Sequence, residues 1–270
     1  MKNYYPDPAF LRQDWIDLSG EWEFAFDDQN QGLKGKWYAK PLPMKIHVPF
    51  VFQCEKSGIN DKSYHPILWY RKEIELPHFR NKEVLLSFNG VDYKAMVYVN
   101  GSMVAVHEGG YTPFHIPVSA YLKRGKNVIA LRVEDYHDTA QPRGKQIWTE
   151  NNHGCWYTAS SGIWKDVWLQ ITGKEYIEAC RIIPDLNNRM AHLEIDYPNT
   201  FSGKGKLAIE LLYNGKHVNT MTLETEAYRQ HVHLHVTQPH SVDDIHTWSP
   251  ENPNLYDVAL SLYDEAGSLC

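Results

Sequence analysis

Apolar and polar residues alternate with a period of two along much of the first half of the chain. In residues 18–26 (LSGEWEFAF), Trp22, Phe24 and Phe26 share one face, while Glu21 and Glu23 fall on the other. Such alternation is typical of a β-strand with one buried face. It predicts a first strand over residues 18–26.

Similar runs recur at short intervals, and only residues 119–123 suggest a helical turn. The Asn100-Gly101 dipeptide joins two of these runs, and Asn-Gly favours a type I′ hairpin because both central residues need φ > 0. The further strands predicted in this half are residues 69–76, 84–88, 94–99, 102–107, 114–116, 127–134 and 162–171. Many short strands with almost no helix predict an antiparallel sandwich.

A second series of strands follows an interruption at residues 172–176 (TGKEY). The predicted strands are residues 177–184, 190–197, 206–213, 216–223, 229–236 and 256–263, with another Asn-Gly turn at Asn214-Gly215. About six short strands in roughly a hundred residues match an immunoglobulin-like sandwich. The Cys–Trp–Cys spacing of antibody domains is absent, so a disulfide-free relative is expected. The final DEAGSLC stops where a turn should lead to another strand, which suggests a fragment of a longer protein.

One long segment, residues 135–161, lies between two predicted strands and has no strand or helix periodicity of its own. Unstructured connections longer than about 12–15 residues are usually functional or disordered. The aromatic residues of this loop argue against disorder, and its mixture of flat rings with planar donors and acceptors suits a polyol-binding surface. Its polar candidates are Asp135, His137, Asp138, Arg143, Gln146, Asn152 and His153. The alternative is that the aromatics close the end of a sandwich and the polar residues only solvate it.

Composition and charge exclude several classes of partner. The chain has 43% hydrophobic residues and a net charge of −6, without a cluster of Lys and Arg, so neither nucleic acid nor a membrane is an expected partner. The N-terminus has no apolar leader, which predicts a cytoplasmic location, or a periplasmic or secreted one if a leader was removed. The four cysteines, Cys54, Cys155, Cys180 and Cys270, are far apart and are expected to be free thiols.

Two groups of histidine and serine residues give weak evidence for a metal site or a serine-hydrolase site. His231, His233 and His235 share one face of a predicted strand, but a strand spaces such neighbours by roughly 6.5–7 Å, and no carboxylate or cysteine nearby completes a tetrahedral metal site. A solvent-facing row of histidines is therefore expected. Ser160, Ser161 and His153 lack the G-x-S-x-G elbow of a serine hydrolase.

The loop also carries three carboxylates, Asp135, Asp138 and Glu150. Retaining glycosidases need two carboxyl groups about 5–5.5 Å apart, and loop spacing cannot establish such a distance. Asp135 is the best placed, because it continues the apolar face of Ile129, Leu131 and Val133 as the strand ends and should point into the mouth of the sandwich. The alternative is that it caps backbone amides of its own loop.

Taken together, a series of motifs in order resembles glycoside hydrolase family 2, the β-galactosidase and β-glucuronidase family. The matching stretches are residues 18–24 (LSGEWEF), 48–53 (VPFVFQ), 69–77 (WYRKEIELP), 97–101 (VYVNG), 107–135 (HEGGYTPFHIPVSAYLKRGKNVIALRVED), 142–148 (PRGKQIW), 157–169 (YTASSGIWKDVWL) and 248–264 (WSPENPNLYDVALSLYD). They cover nearly the whole chain, and their order and spacing are specific together.

The resemblance implies an all-β chain with a jelly-roll sugar-binding domain in residues 1–173 and an immunoglobulin-like domain in residues 174–270. It also implies a catalytic barrel downstream, so this chain is expected to be non-catalytic and inactive alone. Asp135 looks like the family's aspartate that contacts substrate hydroxyls, in some members beside a cation, and Arg143, Gln146 and Trp148 are further candidate substrate-binding residues of the same loop. The loop departs from the best-known members by reading DTAQPRGKQIW, which leaves the cation and the sugar open.

Three functions follow as alternatives. The first is a scaffold that lends a loop to the substrate site of a β-glycosidase and takes part in homo-oligomer contacts. The second is a self-sufficient carbohydrate-binding module, and the third is an interaction sandwich.

Overall fold

The computed structural model describes residues 5–149, 151–226, 228–237 and 245–270. The chain divides into two compact units, Met1–Ile171 and Thr172–Cys270. Both are built almost entirely from antiparallel strands, which confirms the predicted all-β fold of two sandwiches. Within the described ranges, no helix has the length and apolar character needed to cross a membrane.

The strands follow one another in chain order. They are β1 (Trp15–Asp17), β2 (Gly20–Phe26), β3 (Met44–Val48), β4 (Ile67–Leu76), β5 (Glu83–Phe88), β6 (Val91–Asp92), β7 (Lys94–Val99), β8 (Ser102–Glu108), β9 (Phe114–Pro117), β10 (Gly125–Glu134), β11 (Gly162–Ile163), β12 (Val167–Thr172), β13 (Ala179–Asp185), β14 (Met190–Asp196), β15 (Lys206–Tyr213), β16 (Lys216–Glu224), β17 (Arg229–His235) and β18 (Tyr256–Tyr263). The helical elements among the described residues are α1 (Gly32–Gly35) and three 3₁₀ turns, Trp37–Ala39, Glu55–Ser57 and Ser119–Tyr121.

In the first unit, a six-stranded sheet of order β3-β2-β4-β10-β7-β8 packs against a four-stranded sheet of order β1-β12-β5-β9. Buried side chains of both sheets form one core, in which Trp22 and Leu131 from the first sheet join Leu86 and Leu169 from the second. A two-stranded ribbon of β11 and β6 completes the unit. The sandwich buries apolar residues at alternate positions because successive side chains of a strand point to opposite faces.

The predicted strand over residues 18–26 begins two residues too early, because β2 starts at Gly20 and residues 18 and 19 form the link from β1, which lies in the other sheet. β1 pairs with β12 in the four-stranded sheet, whereas β2 pairs with β3 and β4 in the six-stranded sheet. The chain crosses over where the Asp17 carboxylate accepts a hydrogen bond from the Ser19 N–H (2.9 Å) and where Gly20 takes a φ of +95°. A positive φ interrupts the extended backbone of a strand, and glycine adopts it at little cost.

Both predicted Asn-Gly hairpins are confirmed by their backbone angles. Asn100 and Gly101 have φ values of 49° and 86° between β7 and β8, and Asn214 and Gly215 have φ values of 50° and 72° between β15 and β16. Two successive positive φ values are the signature of the type I′ turn.

The described residues of the second unit form two three-stranded sheets, β13-β14-β17 and β16-β15-β18. Alternate residues of β14 and β17 are buried, among them Leu193, Ile195, Val232 and Leu234. The opposite face of this sheet is solvent-facing, and it carries the predicted row of exposed histidines on β17.

Candidate functional site

The long loop between β10 and β11 has an ordered path but no regular elements. In its described part, residues 135–149 and 151–161, no helix or strand forms, and isolated bridges join Gln146 to Tyr157 and His153 to Trp156. Glu150, one of the three loop carboxylates considered from the sequence, lies outside the described residues.

Asp135 points into the protein. It continues the buried face of β10, whose residues Ile129, Leu131 and Val133 all belong to the core. Its side chain is only 3% exposed, and its backbone N–H donates to the carbonyl of Pro66 (2.9 Å). The alternating side-chain directions of β10 thus place the Asp135 carboxylate at the end of the sandwich, as expected from its position in the strand.

Side-chain donors hold both oxygens of the Asp135 carboxylate. Gln141 Nε2 donates to Oδ1 (2.6 Å), Ser161 Oγ donates to Oδ2 (2.5 Å), and Nη1 of Arg143 lies 3.8 Å from Oδ1. The hydrogen-bond donors to this carboxylate among the described residues are thus side chains, rather than the backbone amides that the capping alternative requires. A carboxylate offers about four lone-pair sites, so acceptor capacity remains beyond these two bonds.

A second buried carboxylate, Asp92, lies close to this cluster, and the sequence did not single it out. Asp92 is 4% exposed, and its Oδ2 accepts a hydrogen bond from Gln146 Nε2 (2.8 Å). Burial, and to a lesser extent the charge of Asp135, raise the pKa of Asp92 to about 6, although Gln146 and Arg143 act in the opposite direction. The two carboxylates therefore influence each other electrostatically.

The signal for Asp92 in the sequence is weak. It lies in β6, a strand of only two residues that pairs with β11 after the long loop, and two residues are too few to show alternation. Gly110 packs against it so closely that a Cβ at this glycine would lie 2.3 Å from Oδ1 of Asp92. Only the pairing of distant segments brings Asp92 to Gln146.

Arg143 and Gln146, two of the predicted site residues, fasten the loop over these carboxylates. Arg143 donates from Nη1 to the Tyr136 carbonyl (2.5 Å) and from Nη2 to the Ile147 carbonyl (3.2 Å). Gln146 is 3% exposed, and its Oε1 accepts the N–H of Ser160 (2.8 Å). The amide of Gln146 thus connects Asp92 to the segment that also provides Ser161.

Trp148 belongs to a separate aromatic group on the surface of the loop. Its side chain is 46% exposed and meets Trp156 edge to face at 4.7 Å between ring centroids, with His153 at 5.8 Å. The structure therefore brings Asp135, Arg143 and Gln146 together, and it turns the ring of Trp148 toward Trp156 and His153.

The side chains of the buried cluster are suited to hydrogen bonding with hydroxyl groups. Two carboxylates, two side-chain amides and a guanidinium converge, a set that recognises polyols. In the described parts of the chain, no group of three or more His, Cys, Asp or Glu side chains is arranged to hold a metal ion. The cation implied by the resemblance near Asp135 stays a prediction.

A surface cleft of about 630 Å³ lies elsewhere in the first unit. Its walls include Phe50 and Trp164, and the Trp164 ring is fixed by a hydrogen bond from Nε1 to the Gly110 carbonyl (2.7 Å). The hydroxyl of Ser19, also in the lining, is buried and has no hydrogen-bond partner within the described residues. Aromatic walls with a free polar atom are compatible with a sugar.

Two family models match the chain in succession. The model described as "Glycosyl hydrolases family 2, sugar binding domain" matches residues 16–172, and the model described as "Glycosyl hydrolases family 2" matches residues 175–269. Together they cover nearly all of both units.

Relatives and solved structures agree with these matches. A β-galactosidase from Thermoanaerobacter pseudethanolicus is 30% identical in a 265-position alignment that covers 93% of this chain and 32% of that protein. A β-glucuronidase from Paenibacillus borealis is 24% identical over 96% of this chain and 44% of its own length. The solved β-glucuronidase from Ruminococcus gnavus in complex with uronic deoxynojirimycin has the same fold, with a TM-score of 0.72 and 21% identity over 96% of this chain and 45% of that one. This chain spans about a third to a half of the length of these proteins.

Proposed function

Because this chain belongs to glycosyl hydrolases family 2, we propose that it is the non-catalytic part of a β-glycosidase, which scaffolds a catalytic domain and lends a loop to the substrate site. Its relatives named β-galactosidase and β-glucuronidase support a carbohydrate substrate. The partial coverage of those relatives supports a separate domain for the chemistry. A cytoplasmic location and homo-oligomer contacts belong to the same proposal and await measurement.

The observation that carries the proposal is the carboxylate of Asp135. It stands at the end of a core strand, next to a second carboxylate, and it keeps free acceptor capacity after Gln141 and Ser161 have donated to it. In this proposal, a substrate hydroxyl takes up that capacity or replaces the Gln141 amide. Asp92, Arg143 and Gln146 position Asp135, and Trp148 offers an exposed ring to the part of the substrate outside the site.

The test is the kinetics of Asp135→Ala and Asp135→Asn in the longer enzyme. Loss of a charge-assisted hydrogen bond costs about 1.5–3 kcal/mol, so kcat/KM should fall about 10- to 150-fold. The matched control is Asp138→Asn, which alters an exposed carboxylate of the same loop that accepts the N–H of Ala140. The control should leave kcat/KM within about twofold of the parent.

Two further measurements separate a substrate role from a structural one. A melting curve of each variant shows whether lost activity is only lost folded protein. A deoxy-substrate that lacks the contacted hydroxyl should react equally well with the parent and with Asp135→Ala. Unchanged kcat/KM, or a loss accounted for by unfolding alone, contradicts the proposed contact.

A self-sufficient carbohydrate-binding module is the second candidate function, and the cleft beside Trp164 favours it. Titration of the purified chain with galactose, glucuronic acid and oligosaccharides distinguishes the two. Saturable binding at millimolar concentration or tighter, weakened by Trp164→Ala, supports the module. Absence of binding supports the scaffold, whose site needs the catalytic domain.

A further inference from the structure

The exposed face of the β13-β14-β17 sheet carries histidines from two neighbouring strands. His231 and His233 lie on β17, and the antiparallel register places His233 directly opposite His192 of β14. Directly opposed residues of an antiparallel pair have Cα atoms about 4.5–5.5 Å apart, so their side chains meet. The sequence had pointed only to histidines along one strand, which are too far apart to share a ligand.

The rings of His192 and His233 converge on one point. Their Nδ1 atoms are 2.5 Å apart, their ring centroids are 4.7 Å apart, and the planes are nearly perpendicular at 83°. Two nitrogen lone pairs repel at this distance, and two N–H groups would clash. Either a shared proton or a metal ion must therefore lie between the two Nδ1 atoms.

Asp185 fixes which nitrogen of His192 faces its partner. His192 Nε2–H donates to Asp185 Oδ2 (3.3 Å), and this carboxylate is itself held by the side-chain amide of Asn188 (2.7 Å). With the hydrogen on Nε2, the lone pair of Nδ1 points toward His233. A carboxylate that accepts the distal N–H of an imidazole is the usual support of a metal-binding histidine.

The other histidines of β17 do not extend this pair. His231 lies opposite Glu194, and His235 lies opposite Met190, so each has a different neighbour across the sheet. Residues two apart on a strand are separated by roughly 6.5–7 Å. The described residues include no larger group of metal-ligating side chains, so a bound ion would have two protein ligands and complete its shell with water.

We propose that His192 and His233 form a two-imidazole site for a first-row transition-metal cation such as Zn²⁺, with Asp185 as the positioning residue. Imidazole nitrogen is a preferred ligand of Zn²⁺, Cu²⁺ and Ni²⁺, whereas Mg²⁺ and Ca²⁺ prefer oxygen. Zinc–nitrogen bonds of about 2.0–2.1 Å in a tetrahedral shell separate the two nitrogens by about 3.3 Å. Small rotations of the half-buried His192 ring and the exposed His233 ring provide the required opening.

The test is calorimetric titration of the purified chain with ZnCl₂ in a non-coordinating buffer. The parent chain should bind one Zn²⁺ with a saturable isotherm, and His192→Asn and His233→Asn should each weaken the dissociation constant at least about tenfold. The matched control is His231→Asn, which removes an exposed imidazole from the same strand and face. It should change the constant less than about twofold.

Asp185→Asn tests the positioning role separately. It keeps both imidazoles but replaces the carboxylate that holds His192, so affinity should fall about 10-fold while one Zn²⁺ still binds. Ring ¹⁵N NMR of the parent should show the Nδ1 resonances of His192 and His233 moving on addition of ZnCl₂, and those of His231 staying unchanged.

Several outcomes would overturn the proposal. One is equal loss of affinity in His231→Asn and His233→Asn, which indicates diffuse binding by surface histidines. Another is an Nδ1 pair whose ¹⁵N shifts do not respond to Zn²⁺, which assigns the close contact to a shared proton. Circular dichroism of each variant confirms that the exposed substitutions leave the sheet folded.

Discussion

The two buried carboxylates at the end of the first sandwich differ in how the protein holds them. Asp135 receives hydrogen bonds on both oxygens, from Gln141 and from Ser161. Asp92 accepts a side-chain hydrogen bond on Oδ2 from Gln146, and its pKa is raised to about 6 by burial and by the neighbouring charge. At the residue scale, Asp92 is therefore the member of the pair whose charge is costly to the folded state.

This difference predicts a pH-dependent effect of Asp92→Asn. The unfolded chain releases the Asp92 proton near its ordinary pKa of 3.8, and the folded chain keeps it until about 6, so the free energy of unfolding falls as pH rises between these values. At neutral pH the cost is on the order of 3 kcal/mol, and the neutral amide avoids it. The Asp92→Asn chain should be more stable than the parent at pH 7.5, and the two should converge toward pH 4.

Urea unfolding at pH 4, 5.5 and 7.5 measures this difference. Asp138→Asn serves as the control for removal of an exposed charge from the same region. A stability difference between parent and Asp92→Asn that stays the same at all three pH values would contradict the raised pKa.

At the element scale, glycines with a positive φ tolerate substitution differently at the Asn100-Gly101 turn and at the start of β11. Gly101 and Gly162 both have positive φ values, 86° and 90°. A Cβ at Gly101 would meet no atom within 4 Å, whereas a Cβ at Gly162 would lie 2.0 Å from the hydroxyl oxygen of buried Tyr70. Alanine therefore carries the same backbone cost at both positions, and only at Gly162 does it add a steric cost.

Gly101→Ala and Gly162→Ala form a matched pair for this argument. Alanine at a positive φ costs about 1–2 kcal/mol, which is the whole effect expected for Gly101→Ala. Overpacking adds about 1–3 kcal/mol for Gly162→Ala. Thermal unfolding of both variants checks the order, and equal losses would show that Tyr70 moves aside freely.

The long loop is ordered largely by Arg143, whose guanidinium bridges the carbonyls of Tyr136 and Ile147. Arg143→Lys keeps the charge but loses the planar fork that reaches both carbonyls. Loss of two hydrogen bonds, each worth about 0.5–1.5 kcal/mol, should speed amide exchange in residues 136–148 by about 10- to 100-fold.

Hydrogen exchange followed by mass spectrometry measures this opening. Exchange in β4 and β10 should stay unchanged, because the substitution lies outside the sheet. The control is Lys145→Gln, an exposed change in the same loop. If both variants exchange alike, the bridge made by Arg143 does not hold the loop.

At the scale of the whole molecule, the chain is expected to hydrolyse no glycoside by itself. Glycosidases need one carboxyl group to protonate the leaving group and another to act as base or nucleophile, and both carboxylates of the cluster are already engaged by side-chain hydrogen bonds within the protein. No release of 4-nitrophenol from its β-galactoside or β-glucuronide is expected above a host-enzyme control. Turnover that copurifies with the chain and disappears in Asp135→Ala would contradict this expectation.

The alternation of apolar and polar residues determined most of the fold in advance. β15 and β18 begin and end where the pattern predicted, and both Asn-Gly hairpins have the expected backbone angles. The ordered motifs also identified the family, which the family models confirm. These features are local, because strand period and turn angles depend on residues that are neighbours in the chain. The path of Asp135 into the sandwich is local too, since the register of β10 decides it.

Only the tertiary structure decided which distant residues meet. The pairing of β6 with β11 brings Asp92 to Gln146, and the register of β14 against β17 places His192 opposite His233. The predicted strand over residues 162–171 is likewise divided between β11, which pairs with β6, and β12, which pairs with β1. Alternation specifies which face of a strand is buried but leaves its partner strand and register open, because those depend on how the whole core packs.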